Sequence, residues 1–484
     1  MALAANTSHK GIIQSPTGSM KTLVQAEIVA QRIETGKFSV TLVKSPRIGL
    51  SNQLAKTYSE YWSKGRLTNS QGYITFLAHS GDSADFDIDE NLTDEEKLEV
   101  ISNLPEMIDS LSSVEEISKR AKRALELKRP LVVFTTYHSN LKVVKALEDL
   151  GLTIDLDIND ESHYLVREDF SKILDEYDPS CQYHFTATPV FTSSKIGKGM
   201  NNESRFGKFL YQMSIKACID LGIILPLQVR TVKSGLSAVD QKTLDQEVGE
   251  IIFEAFAELE ATFPSIGAKL LVAAKGAKQI ENFIKKSEEY RLLIDQGVNI
   301  LTVHSNSKLI THNGVQVTRN QFDTLKDKLG KEKNTKLIIV HFDILSEGID
   351  IQGLLGCLIL RKMTLSKFLQ TVGRIVRVLR DSEGNKCDLK NFGLLMFPAI
   401  TDMDMVAEFT KMIGKIAEEG YMPVQLLSED NAKGKDGDDD DQFNGLDDTS
   451  ANPLQENIDL MLYIDPFQQE IEEKDPFDLF GEYI

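Results

Sequence analysis

Short runs rich in β-branched and aromatic residues alternate with longer stretches of helical spacing, and the alternation occurs twice along the chain. Strands separated by helical connections of that length pair in parallel, because the connection has to cross the sheet before the next strand begins. The first series is 11–13, 38–43, 73–77, 131–134, 153–158 and 182–185, and the second is 228–232, 269–273, 299–303, 336–341, 357–360 and 393–397. A helix is expected at 244–259 in the second series. At 484 residues the chain exceeds what one hydrophobic core usually serves, so two α/β domains are expected, 1–225 and 226–428, followed by an acidic segment, 429–484. Residues 81–129, rich in Glu, Asp, Lys and Ser, read as a helical excursion on the first domain, and the amphipathic run 402–419 as a closing helix.

Charge decides less about partners than it first suggests. The net charge is −19, but residues 431–484 hold 16 Asp and Glu against 3 Lys, which leaves −6 for residues 1–430. Phosphate binding depends on where Lys and Arg sit and not on their total, so a nucleic-acid partner stays open. The tail contains Asp465-Pro466-Phe467 and Asp475-Pro476-Phe477 and has the composition of a solvated segment or of one that docks on a protein partner. No window approaches a membrane span, no basic-then-apolar leader opens the chain, and Cys181, Cys218, Cys357 and Cys387 lie far apart. A cytoplasmic protein with reduced thiols is expected, without a membrane partner.

Five elements carry chemistry. Ser15-Pro16-Thr17-Gly18-Ser19-Met20-Lys21-Thr22 follows a short strand and opens a helix, the setting in which backbone N–H groups cradle a phosphate. Lys21 is placed to pair with phosphate oxygens, and the Thr22 hydroxyl to hold Mg²⁺. Asp160-Glu161-Ser162-His163 follows the strand 153–158, where Asp160 can hold the metal and Glu161 orient or deprotonate an attacking water. Thr186-Ala187-Thr188 ends another strand, with hydroxyls able to couple the metal-binding acid to the opposite domain. Ser346-Glu347-Gly348-Ile349-Asp350 and Gln370-Thr371-Val372-Gly373-Arg374-Ile375-Val376-Arg377 lie in the second domain. If the last is helical throughout, Arg374 and Arg377 share a face and reach one γ-phosphate together.

In this order the five elements resemble the superfamily 2 helicases of the D-E-x-H subgroup. Residues 18–22 look like motif I, 160–163 like motif II, 186–188 like motif III, 346–350 like motif V and 370–377 like motif VI. Softer likenesses are Ser45-Pro46-Arg47 to motif Ia, residues 135–139 to motif Ib and residues 269–274 to the motif IV strand. Asn202 to Gly207, with Ala217 and Leu221, is similar to the interdomain segment of the type III restriction helicase subunit and of phage branch-migration helicases.

The resemblance implies two tandem RecA-like domains closing on ATP and Mg²⁺ and moving along nucleic acid, DNA before RNA. It implies catalytic roles for Lys21, Glu161, Gln370, Arg374 and Arg377, and nucleotide contacts from Ser15, Gly18, Ser19, Met20, Lys21, Thr22, Gly348 and Asp350. It further implies coupling through His163, Thr186 and Thr188, and strand contacts from Arg47, His138, Ser139 and Ser305. Two departures stand out. Ser15 and Met20 occupy positions where the phosphate-loop pattern has glycine, and no upstream glutamine element of the kind that reads adenine is visible. Three readings therefore stand: a DNA motor, a catalytically weak nucleic-acid clamp or assembly subunit, and an RNA helicase.

Overall fold

The computed structural model describes residues 9–67, 72–79, 110–192, 197–232, 246–304, 309–342, 351, 353–380, 386–399 and 403–418. The acidic segment 429–484, Ser305, Gly348, Asp350 and residues 81–109 of the expected helical excursion lie outside them.

The first sheet contains β1 (Lys10–Gln14), β2 (Val40–Ser45), β3 (Ile74–Ala78), β4 (Ser110–Leu111), β5 (Leu131–Thr136), β6 (Leu156–Asn159), β7 (Gln182–Thr186) and β8 (Lys208–Gln212). Its order is β4-β3-β5-β2-β6-β7-β1-β8, with every pairing parallel. Burial on both faces explains the continuous apolar runs in the central strands. On β2, Leu42 packs toward α3 (Val114–Leu127) and α4 (Asn140–Glu148), while Val43 packs toward α1 (Lys21–Glu34) and α2 (Ile48–Tyr61). Helix α3 begins at a capping box in which Ser113 and Glu116 satisfy each other's backbone N–H groups.

The second sheet comprises β9 (Leu227–Val232), β10 (Lys269–Ala273), β11 (Asn299–Val303), β12 (Thr311–His312), β13 (Val315–Gln316), β14 (Leu337–His341), β15 (Gly356–Ile359) and β16 (Gly393–Pro398). Its order is β13-β12-β11-β14-β10-β15-β16-β9. Six strands run parallel, and β12 and β13 add an antiparallel hairpin at one edge, so this sheet is only largely parallel. Helices α5 (Val248–Thr262), α6 (Ala277–Lys286), α7 (Glu288–Asp295), α8 (Arg319–Lys331), α9 (Leu365–Ile375) and α10 (Met403–Glu418) belong to this half. The architecture is two tandem RecA-like domains, each with its own core. Among the described residues no helix is long and apolar enough to cross a membrane.

Candidate functional site at the domain interface

In open parallel sheets, ligands sit beyond the carboxyl ends of the strands. The carboxyl end of β1 leads into the phosphate loop, which is a tight structure. Ser15 N–H donates to Thr186 O at 3.1 Å, tying the loop to the end of β7, and Ser19 N–H and Oγ–H both donate to Pro16 O, at 3.2 and 2.6 Å. Ser15 and Ser19 are buried and their hydroxyls meet each other, so these two side chains close the loop instead of facing the cleft.

Two loop residues have positive φ. Gly18 is at 88°, and a Cβ there would lie 3.3 Å from Gly373 O of α9. Met20, at 66°, caps α1 in the left-handed conformation that glycine adopts without cost, and its side chain is 43% exposed. The Lys21 ammonium folds back onto the loop, donating to Ser15 O at 3.0 Å and Pro16 O at 3.2 Å. Those carbonyls hold it where phosphate oxygens would replace them.

Asp160 and Glu161 follow β6, beside the loop. Asp160 Oδ1 accepts from Gln25 Nε2 at 2.6 Å, and Gln25 Oε1 accepts from Tyr58 O–H at 3.1 Å. Burial, reinforced by the charge of Glu161, raises the Asp160 carboxyl well above the usual carboxylate range, against the pull of Gln25 and Lys21. His163 Nδ1 lies 3.1 Å from Thr186 Oγ1 and 3.4 Å from Glu161 Oε2. The Thr186 hydroxyl also accepts from Thr188 N–H at 3.1 Å. These contacts join the acid turn 160–163 to the strand end 186–188, and none of them reaches the second domain.

The second domain closes the site with α9. Thr17, Gly18, Met20, Lys21, Thr22, Asp160 and Glu161 face Gln370, Arg374 and Arg377 across a cleft of about 340 Å³, within the range of small-molecule sites. One sequence expectation is corrected here: α9 ends at Ile375, so Arg377 is not on its face. Val376 O accepts from Leu225 N–H at 2.7 Å, and Arg377 pairs in an isolated antiparallel bridge with Ile224. Pairing with the interdomain segment wins over helix continuation after the β-branched Ile375 and Val376. Both arginines still line the cleft, and burial pulls Arg377 below its ordinary pKa.

The cleft also contains residues that motif reading misses: Gln53 and Thr57 on α2, and Ile223, Val378 and Arg380 on the far side. Gln25 had one signal, a polar residue one turn after Lys21 on an otherwise apolar helix face. Of the expected strand contacts, Arg47 caps α2 and is exposed, as is His138. Ser139 is not available in the same way, because it is buried and its Oγ accepts from Thr136 Oγ1 at 3.2 Å.

The oxygens present suit Mg²⁺. A carboxylate and a hydroxyl, Asp160 and Thr22, lie on one wall of the cleft, and this ion is usually held by one or two carboxylates together with substrate phosphates. When bound, the ion would neutralise phosphate charge beside Asp160 and Glu161.

Residues 1–191 match the family model described as type III restriction enzyme, res subunit. Among solved structures, the chain is similar to the ATP-dependent Type ISP restriction-modification enzyme LlaBIII bound to DNA. That likeness has 17% identity and a TM-score of 0.57, covering 83% of this chain and 27% of that one. A nuclease-deletion mutant of the Type ISP enzyme LlaGI with a DNA substrate mimic gives 16% and 0.53, covering 86% and 28%. The helicase Lhr of Mycobacterium smegmatis bound to ssDNA and AMP-PNP gives 13% and 0.53, covering 88% and 48%. The chain thus spans little more than a quarter of the two restriction enzymes. No curated protein matches it in sequence. The family model covers less than half of the chain, and the solved structures show that the chain shares their fold.

Proposed function

We propose that this chain is an ATP-driven helicase or translocase acting on DNA, in replication, recombination or repair of a phage or other microbial genome, within the cytoplasm. One observation carries the reading: groups of five different chemical roles, contributed by both domains, line a single cleft. The phosphate loop binds the nucleotide, Lys21 pairs with its β and γ oxygens, and Asp160 with Thr22 holds Mg²⁺. Glu161 takes the proton of the attacking water, and Arg374 and Arg377 stabilise charge on the transferring phosphoryl group. Gln370 lies beside them on α9. Because catalytic groups come from both domains, hydrolysis requires closure, and closure is the step that moves a bound strand.

DNA is the strand this reading takes, supported by the DNA and the DNA substrate mimic bound in the two restriction-enzyme structures. The test is steady-state ATP hydrolysis with Mg²⁺, alone and with single-stranded DNA, forked DNA or RNA, beside Glu161→Gln. Stimulation by DNA that disappears in the variant is expected. Stimulation by RNA alone would make it an RNA helicase, and nucleic-acid binding without turnover would make it a clamp.

A further inference from the structure

Glu161 sits at φ 49° and ψ 46°, a left-handed conformation that non-glycine residues seldom adopt. Such strain persists where the surroundings over-determine it, and four contacts do so here. Tyr137 O–H donates to Asp160 O at 2.7 Å, Ser162 Oγ–H to Phe185 O at 3.1 Å and Tyr164 N–H to Glu161 O at 3.1 Å. His163 Nδ1 meets Thr186 Oγ1 at 3.1 Å.

Two of these supports lead outward through one small core. From Glu161 the path passes to His163, whose ring lies 4.7 Å from that of Tyr164, and then to the Arg167 guanidinium, 4.1 Å above the Tyr164 ring centre. From Asp160 it passes to Tyr137, whose ring is 5.6 Å from Phe170, and Phe170 in turn lies 4.7 Å from the His138 ring. Tyr137, Tyr164 and Phe170 belong to one small core, separate from the two that pack α1 to α4. Arg167 and His138 are exposed at its rim, three and one residues beyond the tyrosines that touch the acid turn. His138 follows β5 closely, as Arg47 follows β2, at the carboxyl edge of the sheet, and Arg167 ends the short helical turn Ser162–Val166 that comes after β6.

We propose that Arg167, with His138, contacts the nucleic-acid backbone phosphate, and that Tyr164 is a positioning residue carrying that contact to the Glu161 turn; this rests on the motor reading above. A phosphate oxygen competes with the Tyr164 ring for the guanidinium, since charge-assisted hydrogen bonds to phosphate are stronger than an exposed cation–π contact. Moving Arg167 shifts the seat of Tyr164, and with it His163 and the carboxylate that orients water. The device links strand occupancy to the water-orienting carboxylate within the first domain, and acts together with domain closure.

The test uses the full chain and single-stranded DNA of two unrelated sequences. In Arg167→Ala the slope of log affinity against log salt falls by about 0.7, the value for one phosphate on a single strand, and binding weakens alike on both sequences. In Tyr164→Leu the ratio of DNA-stimulated to unstimulated kcat falls toward one while DNA affinity stays within about twofold, and Tyr164→Phe restores the ratio. An unchanged salt slope in Arg167→Ala overturns the phosphate contact, and an undiminished stimulation ratio in Tyr164→Leu overturns the transmission. A wild-type chain that no nucleic acid stimulates overturns the motor reading and this inference with it.

Discussion

Replacing Met20 with Gly separates a motor from a clamp, and the structure sets the expected size of the effect. Met20 already holds the loop at φ 66°, the conformation a glycine would supply, and its side chain is 43% exposed on the cleft wall. A side chain in that region costs about 1–2 kcal/mol, which glycine relieves. Glycine in turn loses about 0.5–1 kcal/mol through the freedom of the unfolded chain. The difference is a net gain of about 0–1.5 kcal/mol, or a Tm rise of at most about 6 °C for a domain of this size. The loop backbone is unchanged, so kcat is expected to move by less than about threefold, or roughly 0.7 kcal/mol in the barrier. Thermal melting and steady-state hydrolysis on the same preparation measure both. A gain of about tenfold or more in kcat, some 1.4 kcal/mol, would refute the reasoning and mean that Met20 obstructs the phosphate.

Three further outcomes follow from particular contacts. Gly373→Ala puts a Cβ 2.4 Å from Thr17 Cβ, so it is expected to block apposition of α9 on the phosphate loop and cut kcat by about tenfold or more. Tm should be nearly unchanged, Thr17→Gly should restore part of the rate, and full activity in Gly373→Ala would show that the contact is dispensable. Lys44 and Asp157 form a fully buried ion pair at 3.0 Å, joined by Tyr177 and Gln182. Lys44→Met strands the carboxylate at a cost of about 3–5 kcal/mol, read as a Tm loss of roughly 10 °C, whereas adding Asp157→Asn should recover most of it. Glu27, held by Arg66 and helped by Gln31 and Tyr61, is lowered from an ordinary 4.5 to about 2. A depressed carboxylate stabilises fully above its unfolded value and loses that contribution as pH falls through its folded one. Stability should therefore drop between about pH 4.5 and 2, by at most about 3 kcal/mol and less with solvent screening. Acid melting curves of Glu27→Gln should lack that component, and an unaltered acid profile would rule it out.

Much of the fold is legible because a strand buried on both faces must be apolar throughout. Residues 269–273 and 299–303 form β10 and β11 over the span their composition indicates. The edge strand β8, Lys-Phe-Leu-Tyr-Gln, escapes that logic: among the described residues it pairs with β1 alone, and it stays partly exposed along its length. At the site, the motifs point to the residues that line the cleft but not to how the backbone holds them. Three-residue spacing suggested one helical face for Arg374 and Arg377, yet the pairing of Ile224 with Arg377, a long-range contact, ends the helix between them. Nor does composition disclose that Glu161 is left-handed, since that depends on Tyr137 from the turn after β5, and on Phe185 and Thr186 of β7, meeting its neighbours Asp160, Ser162 and His163. Gln25 and Tyr58, which brace Asp160, belong to no motif and become visible only once α1 and α2 are packed together.

If ATP is hydrolysed between the domains by groups from both, as proposed, Arg374→Ala should stop turnover without stopping nucleotide binding. Hydrolysis with single-stranded DNA at saturating ATP, measured beside nucleotide binding, should fall by roughly 10³- to 10⁵-fold while binding to the phosphate loop persists. Hydrolysis at the wild-type rate in Arg374→Ala would contradict the account, since the first domain would then be catalysing alone.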